Sequence, residues 1–158
     1  MREEITHKID YISTSQGLGL SIDETKELFN DGRVMGRYGE FVYSNRTNTK
    51  RSGNENSPYD IIGKNNLKIE VRSVTPSSGL NFASSKEVGS GREVTEEGFK
   101  EKMNSVDMFV AVDYRNLEEI KLINVTKDDI YDMVSKKMIR KNKSIQDKKF
   151  YKFIENND

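Results

Sequence analysis

The sequence has no cysteine and no tryptophan, only two prolines, and a single histidine, His7, in 158 residues. Without cysteine there are no disulfides, thiolate zinc sites or cysteine nucleophiles. One histidine supports neither a paired-histidine acid–base system nor a histidine-rich metal cage. Chemistry must therefore run on carboxylates, lysine, arginine, hydroxyls and bound metal. No apolar run approaches the roughly 18–20 residues that a membrane span needs, and the opening MREEITHKID lacks the apolar stretch of a secretory signal. The expectation is a cytoplasmic protein with no membrane partner.

What is present is charge. Lysine and arginine number 26, aspartate and glutamate also 26, so the formal net charge is zero and a nonspecific polyanion binder is not indicated. The distribution is uneven. Residues 33–51 hold Arg33, Arg37, Arg46, Lys50 and Arg51 against one acid, Glu40, and the tail SKKMIRKNKSIQDKKFYKF is basic, whereas acids gather in 113–132. A neutral total thus hides a basic face. The 34% of hydrophobic residues are clustered enough to build one modest core, so residues 1–158 read as a single domain. Its parts are an N-terminal helical segment (1–32), a core (33–125) and a C-terminal basic helix and tail (126–158).

Local signals divide the chain further. Ser21 followed by Glu24 is a capping box that opens a short helix, and a second helix is expected over about 33–46. On it, Tyr38, Phe41 and Tyr43 read as core-packing rather than base-stacking residues. RTNTKRSGNENSP reads as a loop. YDII and LKIEVRSV read as strands joined by the turn GKNN, and a third strand is expected near LNFASS. A glycine-rich loop, EVGSGR, follows. Thr95 caps a helix with Phe99, Met103 and Val106 at helical spacing, and DMFVAVDY has the apolar continuity of a strand covered on both faces. IKLINV is the next strand, and Thr126 with Asp129 opens a last helix. The class is α/β with a mixed central sheet flanked by helices.

In LKIEVRSV, Lys68, Glu70 and Arg72 share one strand face, with Glu70 and Arg72 about 7 Å apart at the base. Alone, this reads as a solvated face with weak surface pairs. Asp60 alters the reading, because a hairpin brings it beside Glu70, and two converging carboxylates repel unless a cation lies between them. Oxygen ligation by one or two acids, completed by water and a substrate phosphate, suits Mg²⁺, with Mn²⁺ as its substitute. Geometry sets a condition. A four-residue loop 63–66 would put Asp60 opposite Ile69 and on the wrong face, so convergence requires an odd loop length or a bulge.

Pro58-Tyr59-Asp60 followed by Glu70-Val71-Arg72 resembles the motif of the PD-(D/E)XK nuclease superfamily, over roughly residues 33–125. The resemblance implies a restriction-endonuclease-like αβββαβ core and metal-dependent cleavage of double-stranded DNA, as in a small type II restriction endonuclease acting as a homodimer. It also implies Asp60 and Glu70 as metal ligands, with Glu40 of GRYGE at the position from which many members add a further acid. Arg72 stands where the family usually has lysine. Arginine cannot give up its proton in a protein, so it can hold a phosphate but cannot act as a base. Two alternatives stay open: GRYGE, DII and IEVRS are also similar to archaeal-type Holliday-junction resolvases, and the arginine allows a DNA-binding module whose nuclease site has lapsed. Arg37, Arg46, Lys50 and Arg51 are candidates for contact with the DNA backbone, as are Lys86 and Arg92 around the glycine-rich loop.

Overall fold

The computed structural model describes residues 2–54, 56–84, 86–88 and 91–157; for Lys86, Glu87, Val88 and Arg92 it describes the backbone alone. In chain order the elements are β1 (Glu4–Lys8), α1 (Tyr11–Leu18), α2 (Ile22–Phe29), α3 (Gly32–Thr47), β2 (Lys50–Arg51) and β3 (Ile61–Ile62). A 3₁₀ turn (Lys64–Asn66) leads to β4 (Lys68–Ser73), β5 (Leu80–Asn81), β6 (Lys86–Val88), β7 (Gly91–Glu93) and α4 (Glu96–Ser105). Then follow β8 (Met108–Asp113), β9 (Glu119–Thr126), α5 (Lys127–Ser135), β10 (Ser144–Ile145) and α6 (Asp147–Asn156).

Six strands form the central sheet in the order β1-β9-β8-β4-β3-β2. β4 and β8 run parallel and the other neighbours antiparallel, so the sheet is mixed and the α/β class holds. The parallel pair needs a crossover, and α4 provides it. Side chains alternate along β8, and both sets are buried: Phe109 and Ala111 join one core cluster, Val110 and Val112 the other. This is the physical content of the continuous apolar run DMFVAVDY. On one face Phe99 and Met103 of α4, Ile130 and Met133 of α5 and Phe150 of α6 cover the sheet. On the other, Met35, Val42 and Tyr43 of α3 pack against Ile69, Val71, Val112 and Leu122.

Helix ends follow their local chemistry. Ser21 and Thr126 form the two expected capping boxes, and Thr95 accepts from the Gly98 amide at the start of α4. α3 lies close to the sheet because Gly39 has no side chain: a Cβ there would sit 2.5 Å from Val112 Cγ2. That approach brings the next residue, Glu40, against the sheet margin.

Several expectations need correction. The strand near LNFASS lies outside the central sheet, where β5 pairs with β10. Its place is taken by β2, cut from the polar segment read as a loop and held by pairing with β3. The N-terminal segment begins with an edge strand, β1, on β9. The C-terminal tail holds a further helix, α6, that buries Phe150, Tyr151, Phe153 and Ile154, so its lysines line only the outer side of a core helix. Residues 86–88 and 91–93 pair as a hairpin, while Gly89 and Ser90 at its tip lie outside the described residues. Among the described residues no helix is long and apolar enough to cross a membrane.

Candidate active site

The β3–β4 hairpin sets the geometry. Ile61 pairs with Ile69 and Ile62 with Lys68, leaving a five-residue connection, 63–67, closed by the Gly63 amide donating to Leu67 O at 2.7 Å. Asn65 and Asn66 both take left-handed backbone, at φ 56 and 59, a conformation asparagine tolerates better than most residues. The odd loop length satisfies the condition drawn from the sequence. One residue further the Asp60 amide donates to Ile69 O at 2.9 Å, and Asp60 comes close enough to Glu70 to feel its charge. Regular pairing stops there: β3 has ended, and Asp60 Oδ2 accepts from the Val71 amide at 2.8 Å, satisfying a ladder donor that has lost its strand partner.

Glu70 is not on a solvated face. It is 6% exposed, beneath α4. Its Oε1 accepts from Arg72 Nε at 2.9 Å, with Arg72 Nη2 at 2.8 Å, and its Oε2 lies 3.2 Å from Lys102 Nζ. Lys102, 8% exposed, also donates to Pro58 O at 2.8 Å and so ties the entry to Asp60 to α4. Asp60 is half-buried. Burial, then the charge of Glu70, pushes its carboxyl above the ordinary aspartate range, opposed by the Val71 amide, Arg72 and Lys102.

Glu40 approaches from the other face on α3. It is 8% exposed, accepts from Arg37 Nη1 at 2.8 Å and lies 3.8 Å from Arg51 Nε. Its carboxyl is pushed up to about 7, first by burial and then by the charge of Asp60, with Arg37 and Arg51 pulling the other way. Asp60 thus couples electrostatically to both glutamates at the open end of the hairpin. A cavity of ≈ 350 Å³ lies here, lined by Glu40, Asp60, Arg37, Arg51, Ser52 and Ser57 among others. It shares Arg37 and Glu40 with a wider cleft of ≈ 640 Å³ that includes Arg33, Arg72, Ser73 and Thr75.

The remaining candidates separate. Arg37 and Arg51 line the cavity. Arg46 is exposed in the last turn of α3, where its charge lowers the His7 pKa after burial has done so, and it lines neither cavity. Lys50 is exposed on β2 and also lines neither. The side chains of Lys86 and Arg92 lie outside the described residues. Tyr43 is a core residue, and Tyr38 packs edge-on against Phe29 and hydrogen-bonds His7 Nε2 at 2.9 Å. Phe41 departs from the core-packing expectation: it is 44% exposed, with the Arg51 guanidinium 3.7 Å from its ring centroid.

Lys102 is the functional side chain that the motif did not supply. Its signal was present, since position 102 falls on the apolar stripe of Phe99, Met103 and Val106, where an amphipathic helix has no reason to carry an ammonium group. Among the described residues no group of three or more acidic or histidine side chains is drawn together as a metal cage. The carboxylates are paired with Arg37, Arg51, Arg72 and Lys102 instead. The donor chemistry still suits Mg²⁺, which needs only one or two carboxylates besides water and phosphate oxygens. Comparison with protein-family models, with curated proteins and with solved structures gives no match.

Proposed function

We propose that this chain is a metal-dependent nuclease that hydrolyses phosphodiester bonds in DNA, built on a restriction-endonuclease-like core of the PD-(D/E)XK type. The observation that carries the reading is Asp60 at the open end of the β3–β4 hairpin, which bonds Ile69 O through its amide and the Val71 amide through its carboxylate and so brackets Glu70, with Arg72 two residues on. With β5, β6 and β7 set aside as strands outside the central sheet, the order α3-β2-β3-β4-α4-β8 is an αβββαβ succession that supports the fold assignment, although its first β-strand is Lys50–Arg51 rather than YDII.

Asp60 and Glu70 would hold Mg²⁺ or Mn²⁺, with Glu40 at hand for the same cation or its water. When bound, the cation supplies neutralisation of phosphate charge and an acidified water. Arg72, hydrogen-bonded to Glu70, presents a planar fork that holds a phosphate through two bonds. It cannot take a proton, but Glu40, poised near neutrality, can, so base duty moves from the strand to the helix. Lys102 neutralises Glu70 from beneath and fixes Pro58, keeping the Asp60 approach in place. Arg37 and Arg51 face the incoming backbone, and a homodimer acting on double-stranded DNA remains part of the proposal.

A second reading has its own observation. Every acid of the site is already compensated by a protein cation or an amide, which is what a site that binds DNA without cutting would need. Incubation with supercoiled plasmid and with a four-way junction, each with and without Mg²⁺, separates the readings. Mg²⁺-dependent discrete fragments identify a restriction-type enzyme, and junction cleavage identifies a resolvase. Binding without any cleavage replaces the nuclease reading with the binding one.

A further inference from the structure

Phe41 follows Glu40 directly on α3, yet the two side chains have opposite fates. Glu40 is buried at the sheet margin, while the Phe41 ring is left 44% exposed; among the described residues Tyr131 of α5, at 51%, is the other large aromatic so open. The ring is not isolated. The Arg51 guanidinium stands 3.7 Å from its centroid and that of Arg37 stands 5.9 Å away. These are the two arginines that face Glu40 and line the cavity holding Asp60. Arg51 Nε, moreover, is buried and has no hydrogen-bond partner among the described residues, with Glu40 Oε2 3.8 Å away, beyond bonding distance. Stacking on Phe41 thus contributes to the placement of the Arg51 guanidinium.

The cavity has a telling size. At ≈ 350 Å³ it lies at the lower end of the range that encloses one small-molecule ligand, far short of a trough for a double helix, and Ser52, Gly53, Asn54 and Ser57 are among the residues that wall it. An exposed aromatic ring and a stacked arginine beside a small polar cavity are elements with which proteins hold unpaired nucleotides. The ring and guanidinium take the base face, and free arginine N–H groups take the phosphate.

We propose that Phe41 and Arg51 form a stacking platform for an unpaired nucleobase next to the phosphate that Arg72 holds, so that the preferred substrate has single-stranded character at the cut. This rests on the nuclease reading and narrows it: the substrate class becomes single strands, frayed ends or branch points. With continuous duplex, the base stays in its own stack and the platform goes unused.

The test measures binding rather than cutting. A single-stranded oligonucleotide carrying 2-aminopurine, and the same sequence as a duplex, are titrated with the full chain in Ca²⁺, using wild type, Phe41→Ala and Phe41→Trp. Thermal melting of each variant reports its folding. The expected result is tighter binding of the single strand by wild type, fluorescence quenching on binding, about a tenfold or greater loss of that affinity in Phe41→Ala, and recovery in Phe41→Trp. Duplex affinity should change less than about twofold. Equal losses for both forms, or none for either, would overturn the proposal, as would wild type that binds neither form. Phe41-dependent binding by a protein that cuts neither form would leave the platform standing and remove the nuclease reading instead.

Discussion

Asp60 brackets Glu70 at the end of the β3–β4 hairpin, its amide donating to Ile69 O and its Oδ2 accepting from the Val71 amide. The pairing that leads there is set by a five-residue connection with Asn65 and Asn66 in left-handed backbone. One residue fewer would turn Asp60 to the other face of the sheet, since strand side chains alternate. The site therefore depends on two asparagines that touch none of its acids. Asn66→Gly should leave stability nearly unchanged, whereas Asn66→Val should cost about 1–2 kcal/mol. Thermal unfolding at neutral pH would read the latter as a fall of about 2–4 °C per kcal/mol. Equal melting of the two variants would show that the left-handed turn does not hold the hairpin.

Glu40 makes stability depend on pH. Its folded pKa, pushed up to about 7, exceeds the ordinary 4.5, so the folded chain binds this proton more tightly than the unfolded chain. The resulting stabilisation is fully present below 4.5 and is lost as pH rises through 7. Melting wild type and Glu40→Gln between pH 4.5 and 8 should show wild type losing stability relative to the variant as pH rises. In the proposed mechanism the same ionisation would create the proton acceptor, so cleavage by wild type should increase through pH 7 and level off. A pH–rate profile lacking that limb would take base duty away from Glu40.

Lys102 and Arg72 share Glu70 unequally. The lysine is buried and also holds Pro58 O, while the Arg72 side chain is 28% exposed. Lys102→Met should therefore destabilise by about 2–3 kcal/mol, less than the full cost of stripping a buried ion of its only partner because Arg72 remains. Arg72→Ala should cost about 1 kcal/mol in stability and about 10²-fold or more in cleavage, while Arg72→Lys keeps measurable activity. Denaturant midpoints together with initial cleavage rates check both. If Arg72→Ala cuts as fast as wild type, Arg72 does not hold the phosphate.

The parts of this molecule that were readable in the sequence are those set by neighbours along the chain. Ser21 with Glu24 and Thr126 with Asp129 cap their helices through bonds spanning three residues, and the alternation of Ile69, Glu70 and Val71 requires only a pleat. Lys50–Arg51 was opaque because two charged residues become a strand only when β3 lies beside them. Lys102 was hidden for a similar reason: a lysine beside an apolar stripe signals a buried charge but does not name Glu70, 32 positions earlier, as its partner. Phe41 read as core, since helical spacing marks a face without marking where the sheet beneath it ends.

The central claim is that Asp60 and Glu70 together hold a divalent cation. Its most direct test is the thermal melting of wild type and Asp60→Asn across a titration of Mn²⁺ or Mg²⁺, because a ligand bound only by the folded state raises the midpoint as its concentration exceeds Kd. Wild type should rise by several degrees, as about 2.7 kcal/mol of linkage at a hundredfold excess over Kd requires, and Asp60→Asn should stay flat. A wild-type midpoint indifferent to metal, or an equal rise in the variant, would contradict the account.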